Sequence, residues 1–160
     1  MNNKRTFFQY VIPSVLSFAL SGVYAIVDGF FVGNSIGDAG LSAINIAYPI
    51  TAVLQSVGTG IGMGGSVKYS ILKAAGNEKK AREFVAGATW LMLLFSALLT
   101  VTVFFTSEKI LSDLGASGEL LTLGKEYIKV IALGAILQVF GTGLVPFMRN
   151  YGGSLWAMIA

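Results

Sequence analysis

The chain has 160 residues, 54% of them hydrophobic and only 12% charged, with a mean hydropathy of +0.73. Soluble domains carry about 25% charged residues, so this chain lacks the charge to coat a water-facing surface. It contains neither Cys nor His, which excludes disulfides, thiol chemistry, Cys- or His-based metal sites and the usual general base.

Four apolar stretches, at about residues 7–33, 42–67, 84–106 and 125–148, are long enough to cross a bilayer, and a further run starts at about residue 154. They predict an all-α, multi-pass transmembrane helical bundle of four spans plus the start of a fifth. No alternating ten-residue segments of the β-barrel kind occur.

The first stretch, FFQYVIPSVLSFALSGVYAIVDGFFVG, contains a single charge, Asp28. A carboxylate at the centre of a span costs roughly 2.5–3.5 kcal/mol on insertion scales, so it needs a reason to be there. Ser14, Ser17, Ser21, Tyr24 and Asp28 recur at helical spacing within an arc of about 80°. They form one polar seam on an otherwise apolar helix. Either the acid is hydrogen-bonded for helix packing, or it is an ion- or proton-linked group facing a cavity; the continuing seam favours the second. Pro13 removes a backbone donor and marks a hinge. The apolar run is too long for the hydrophobic region of a signal peptide.

The short polar connection NSIGDAGL leads to the second stretch. There Asn45, Tyr48, Gln55, Ser56, Thr59 and Ser66 share an arc of about 100°. Pro49 is a second possible kink. The run Gly60-Ile-Gly62-Met-Gly64-Gly65 formally matches a dinucleotide-binding fingerprint, but it lies inside an apolar helix with no βαβ pattern around it. Gly58/Gly62, Gly60/Gly64 and Gly29/Gly33 read instead as GxxxG pairs for close helix approach or bending.

The most charged segment, KYSILKAAGNEKKARE at 68–83, precedes the third stretch, in which Trp90 lies near one end. Residues 107–129 form a mixed connection in which Ile110, Leu111 and Leu114 suggest a short interfacial helix. In the fourth stretch Tyr127, Ile131, Gly134, Gln138, Gly141 and Val145 share a face, with Gln138 as its one interior polar group of note. With four spans, Lys4, Arg5, Lys68, Lys73, Lys79, Lys80, Arg82 and Arg149 fall on one side; Lys109, Lys125 and Lys129 fall on the other. The positive-inside bias makes the N-terminus cytoplasmic and places Asp28 in the outer part of the membrane. The net charge of +3 is thus a topology signal, and no nucleic-acid partner is implied.

An enzyme is disfavoured. Asp28 is the only acid within a span core, whereas intramembrane aspartyl chemistry needs two, and no Lys is placed to activate a serine. One carboxylate with hydroxyls and amides could hold Na⁺ or a proton.

The combination of PSVLSFALSGVYAIVDGFFVGNSIGDAGLSA, the Gly-rich second stretch, AAGNEKKA and PFMRNYGGSLWAMIA resembles the N-terminal part of the multidrug and toxin extrusion (MATE) family, in its bacterial multidrug branch. The resemblance covers the whole chain in order. It implies the N-terminal lobe of a twelve-helix transporter, with two pseudo-symmetric halves and a substrate cavity. It maps the acid that binds the coupling H⁺ or Na⁺ to Asp28, the tyrosine one turn earlier to Tyr24 and the kink proline to Pro13. Ser17, Ser21, Asn45, Gln55, Thr59 and Gln138 are the cavity-lining candidates.

The chain departs from the family pattern at Tyr151, where an acid is often found, and it ends within the fifth helix. The expectation is a portion of a secondary active antiporter in a bacterial inner membrane. It would export organic, often cationic, drugs in exchange for H⁺ or Na⁺, need no further cofactor, and work with a C-terminal half absent from the chain. The alternatives are a flippase for lipid-linked precursors, which calls for a cavity lined by Arg or Lys, and a non-transporting membrane assembly subunit, which would form a defined homo-oligomer.

Overall fold

The computed structural model describes residues 3–153 and 156–159, with side chains from Phe7 to Gly153 and at Trp156 and Ala157. The described residues form five helices and no strand: α1 (Asn3–Ser35), α2 (Asp38–Ala74), α3 (Glu78–Asp113), α4 (Gly118–Asn150) and the short α5 (Trp156–Ile159). The first four are long and apolar enough to cross a membrane. The start of the fifth run at residue 154 and the side chains of Lys4 and Arg5 lie outside the described residues.

The helices overrun the apolar stretches that predict them. At 1.5 Å per residue, a 37-residue helix such as α2 is about 55 Å long, against about 30 Å of hydrocarbon. The charged 68–83 segment is therefore not a loop. Its Lys, Glu, Arg and Ala residues are good helix formers, and they extend α2 and α3 until only residues 75–77 are left to turn. The separate interfacial helix expected around Ile110–Leu114 does not form either. Nothing between Thr106 and Asp113 breaks the backbone ladder, so α3 runs on through it.

The turns are made locally. Gly76 takes φ +74°, so Asn77 N–H donates to the Leu72 carbonyl at 2.9 Å and Gly76 N–H to Lys73 at 3.0 Å, closing the end of α2 in a left-handed cap. Asn77 then caps α3 by accepting from Lys80 N–H at 3.2 Å. Gly115, at φ +97°, closes α3 in the same way, with Ala116 N–H donating to Leu111.

Helices α2, α3 and α4 pack on one another along their lengths, whereas α1 meets the rest chiefly near its connection to α2 and at α5. The packed unit has two apolar clusters. One joins Ala47, Ile50, Val103, Leu111, Ile128 and Ala132; the other joins Tyr69, Ala81, Ala88, Met92, Val139 and Phe147. Between them α2 crosses α4 on Gly58, Gly62 and Gly143, where no side chain fits. Buried Ser66 and Ser96 satisfy their hydroxyls on the carbonyls of Met63 and Leu93 in their own helices. Small residues and self-satisfied hydroxyls let helices approach closely where apolar surface gains nothing by leaving lipid.

The GxxxG pairs divide accordingly. Gly58/Gly62 packs against α4, while Gly60, Gly64 and Gly29 face open space, and Gly33 only touches Leu41 of α2.

Candidate functional site: a cavity between α1 and the packed helices

Only two residues, Ile36 and Gly37, join α1 to α2, so the two helices converge there. At the apex Gly40 lies against Ile36 and Val32, and Gly33 against Leu41. Away from the apex α1 diverges from α2 and α4, and a cavity of about 830 Å³ opens between them. Helix α1 contributes Ser17, Ser21 and Tyr24 with Phe18 and Leu20; α2 contributes Gln55, Thr59 and Met63; α4 contributes Thr142, Val145, Pro146 and Arg149, and Ala157 of α5 also lines it.

Five of the residues expected from the sequence thus share one cavity: Ser17, Ser21, Tyr24, Gln55 and Thr59. The seam of α1 meets the polar face of α2. Asp28, Asn45 and Gln138 are not among the lining residues. Asp28 is exposed on α1 one turn beyond Tyr24, between the cavity and the apex, and it makes no hydrogen bond or ion pair among the described residues. Across from it, Tyr127 of α4 lies within electrostatic reach of both Asp28 and Tyr24. Asn45 is exposed on α2, and Gln138 is half-buried on α4, where its carbonyl accepts from Thr142 Oγ1 at 2.9 Å. Pro13 is buried within α1, which continues through it.

The seam hydroxyls are not idle donors. Ser14, Ser17 and Ser21 donate to the carbonyls of Tyr10, Pro13 and Ser17, at 2.8, 2.9 and 3.0 Å. Their remaining lone pairs can accept from a ligand. Back-bonding of this kind also loosens and bends helices, and it clusters around the proline that already lacks a donor. Both features thin the backbone ladder in the half of α1 that lines the cavity.

Thr142 and Arg149 were not among the expected cavity residues. Yet Gln138, Thr142, Val145 and Arg149 follow one another at helical spacing, and that continuation was the signal available. Among the described residues, Arg149 is the one ionisable side chain besides Tyr24 that lines the cavity.

Residues 13–160 match the MatE family. The chain belongs to that family, the MATE transporters. Its members are transporters rather than enzymes, and this chain, with four helices long and apolar enough to span a bilayer, is a multi-pass membrane protein. It is 30% identical over 152 residues to the multidrug export protein MepA of Staphylococcus saprophyticus, covering 94% of this chain and 34% of that protein. It is 28% identical over 151 residues to MepA of Staphylococcus haemolyticus, covering 94% and 33%. The chain therefore spans about a third of the length of these curated relatives. Its fold matches a crystal structure of a MATE transporter in complex with MaD5 at a TM-score of 0.90, with 23% identity, over 99% of this chain and 36% of that one.

Proposed function

We propose that this MATE lobe serves a secondary active antiporter, which exports organic, often cationic, drugs across a bacterial inner membrane in exchange for H⁺ or Na⁺. Asp28 and Tyr24 form the coupling site and Pro13 the hinge. One observation carries the reading: the polar seam of α1 faces a cavity of about 830 Å³, on a helix that meets the rest of the bundle chiefly at α2 and α5.

The cavity offers Tyr24, Phe18 and Met63 as apolar surface and Gln55 and Thr59 as hydrogen-bonding groups for a cargo. Binding H⁺ or Na⁺ at Asp28 removes one negative charge from α1. The cost of placing this turn of helix away from water falls, which biases the equilibrium between a straight and a bent α1. A differential of a few kcal/mol is enough to switch the dominant state. Bending near Pro13 carries Ser17, Ser21 and Tyr24 into the cavity and displaces the cargo.

The test is drug efflux and ion coupling by the transporter carrying this lobe, in cells stripped of their own pumps. Asp28→Asn should abolish export, and Asp28→Glu should keep part of it. Intact, ion-coupled efflux with Asp28→Asn would sink the proposal.

A second reading, a flippase for lipid-linked precursors, is favoured by Arg149 among the residues that line the cavity. It requires that Arg149→Gln block lipid export while Asp28→Asn does not.

A further inference from the structure

Beyond the transport cavity, a second and smaller pocket of about 230 Å³ lies where α2 ends and α3 begins, lined by Tyr69, Lys73, Glu78, Ala81, Arg82 and Tyr151. Its residues flank the apolar stretches and stand on the side richest in Lys and Arg. Tyr69 is buried, and its ring stacks on that of Tyr151 with centroids 4.7 Å apart and 30° between planes. Lys73 Nζ lies 5.6 Å from the Tyr69 ring centre and 5.4 Å from that of Tyr151. Two aromatic faces thus hold the ammonium in place, and among the described residues no carboxylate pairs with it.

Arg82 has only a single 3.6 Å contact to Glu78, and both side chains are exposed. The rest of its guanidinium fork remains available. The hydroxyl of Tyr151 is held protonated above the ordinary tyrosine range, first by the Tyr69 hydroxyl, towards which it directs its one proton, and then by desolvation; turning that proton to a phosphate oxygen makes it the pocket's neutral donor. The first turn of the 36-residue α3 opens at Glu78; Asn77 already takes the N–H groups of Lys80 and Ala81, and the positive end of the helix dipole remains to favour an anion. The pocket has room for several times the roughly 30 Å³ that a water occupies. With Lys73 and Arg82 against Glu78, its lining keeps a net positive charge.

We infer that this pocket binds a negatively charged phosphate group, brought to it by the headgroup of an anionic lipid. Lys73 supplies a fixed point charge, Arg82 a planar fork and Tyr151 a hydroxyl donor, the set that phosphate recognition uses. A lipid held there would tie the α2–α3 turn to the end of α4 at the membrane surface, where basic groups meet anionic headgroups.

Native mass spectrometry of the protein in detergent tests this, with phosphatidylglycerol as the probe and phosphatidylcholine as the lipid of no net charge. The protein should retain phosphatidylglycerol preferentially. Lys73→Gln with Arg82→Gln should weaken that binding at least about tenfold, the loss of charge-assisted hydrogen bonds. Lys79→Gln with Lys80→Gln, an equal change of charge outside the pocket, should leave it unaltered. Tyr151→Phe keeps the stacked rings and removes only the hydroxyl, so it should weaken binding in a protein of unchanged melting temperature. If sodium phosphate alone displaces the lipid, the site reads the phosphate itself; if it does not, the site reads a headgroup at the membrane surface. Equal losses in the pocket and control variants, or unchanged binding in a normally eluting pocket variant, would overturn the inference.

Discussion

Gly62 of α2 lies so close to Gly143 of α4 that a Cβ built on it would stand 2.0 Å from the Gly143 carbonyl oxygen. No side chain can enter that space, so the α2–α4 crossing depends on glycine at this point.

Gly62→Ala should therefore force the helices apart. The expected loss is at least about 1–3 kcal/mol, the usual cost of overpacking a close contact, read as a lower melting temperature or midpoint in detergent. Gly60, two residues away, meets nothing within 4 Å. There Ala removes only the backbone freedom of glycine, so Gly60→Ala should be neutral or stabilising by up to roughly 1 kcal/mol. Similar losses at both positions would mean that glycine supplies flexibility rather than space.

Asp28 predicts a trade between insertion and function. Removing the charge relieves at most roughly 2.5–3.5 kcal/mol, the insertion cost at the centre of a span. Asp28→Leu should insert and fold as well as the natural chain, or better, yet fail in export. An insertion assay run beside drug accumulation reads both effects. A fold that collapses with Asp28→Leu would make the carboxylate a packing element instead.

The cavity predicts a pattern of water access. The chain has no Cys, so single cysteines report cleanly. Ser21→Cys, Gln55→Cys and Thr142→Cys should react with a hydrophilic maleimide, because all three positions line the cavity. Leu137→Cys should not, since the 79% exposed Leu137 belongs to the apolar surface that faces lipid or other helices. A drug that occupies the cavity should slow the first three reactions.

Orientation can be read in the same way. With the N-terminus in the cytoplasm, Ser117→Cys in the α3–α4 turn should react in intact cells. Lys79→Cys at the start of α3 should react only after the membrane is opened. The reverse pattern would invert the positive-inside assignment.

The cap of α3 is a local feature with a predictable size. Asn77 accepts from Lys80 N–H at 3.2 Å, so Asn77→Ala should cost about 0.5–2 kcal/mol of stability, measured by denaturation in detergent. A cost near zero would mean that water replaces the cap.

Much of this architecture needs only the order of residues. Long apolar runs whose one charge away from their ends is Asp28 must be membrane helices, because each span satisfies its own backbone. Helical spacing alone aligned Ser17, Ser21 and Tyr24 on one face and Gln55 and Thr59 on another. The ends of the helices were less legible, because hydropathy marks where lipid stops and the hydrogen-bond ladder does not stop with it. That the polar faces of α1 and α2 share a cavity was legible; where that cavity closes and which glycines touch was not. Periodicity assigns Tyr24 and Asp28 to one seam, but the two-residue connection brings α1 and α2 together just beyond Asp28, so Tyr24 lines the cavity and Asp28 does not. Gly58/Gly62 and Gly60/Gly64 are the same motif in sequence; the rotation of α2 against α4 alone makes the first a contact and leaves the second in open space.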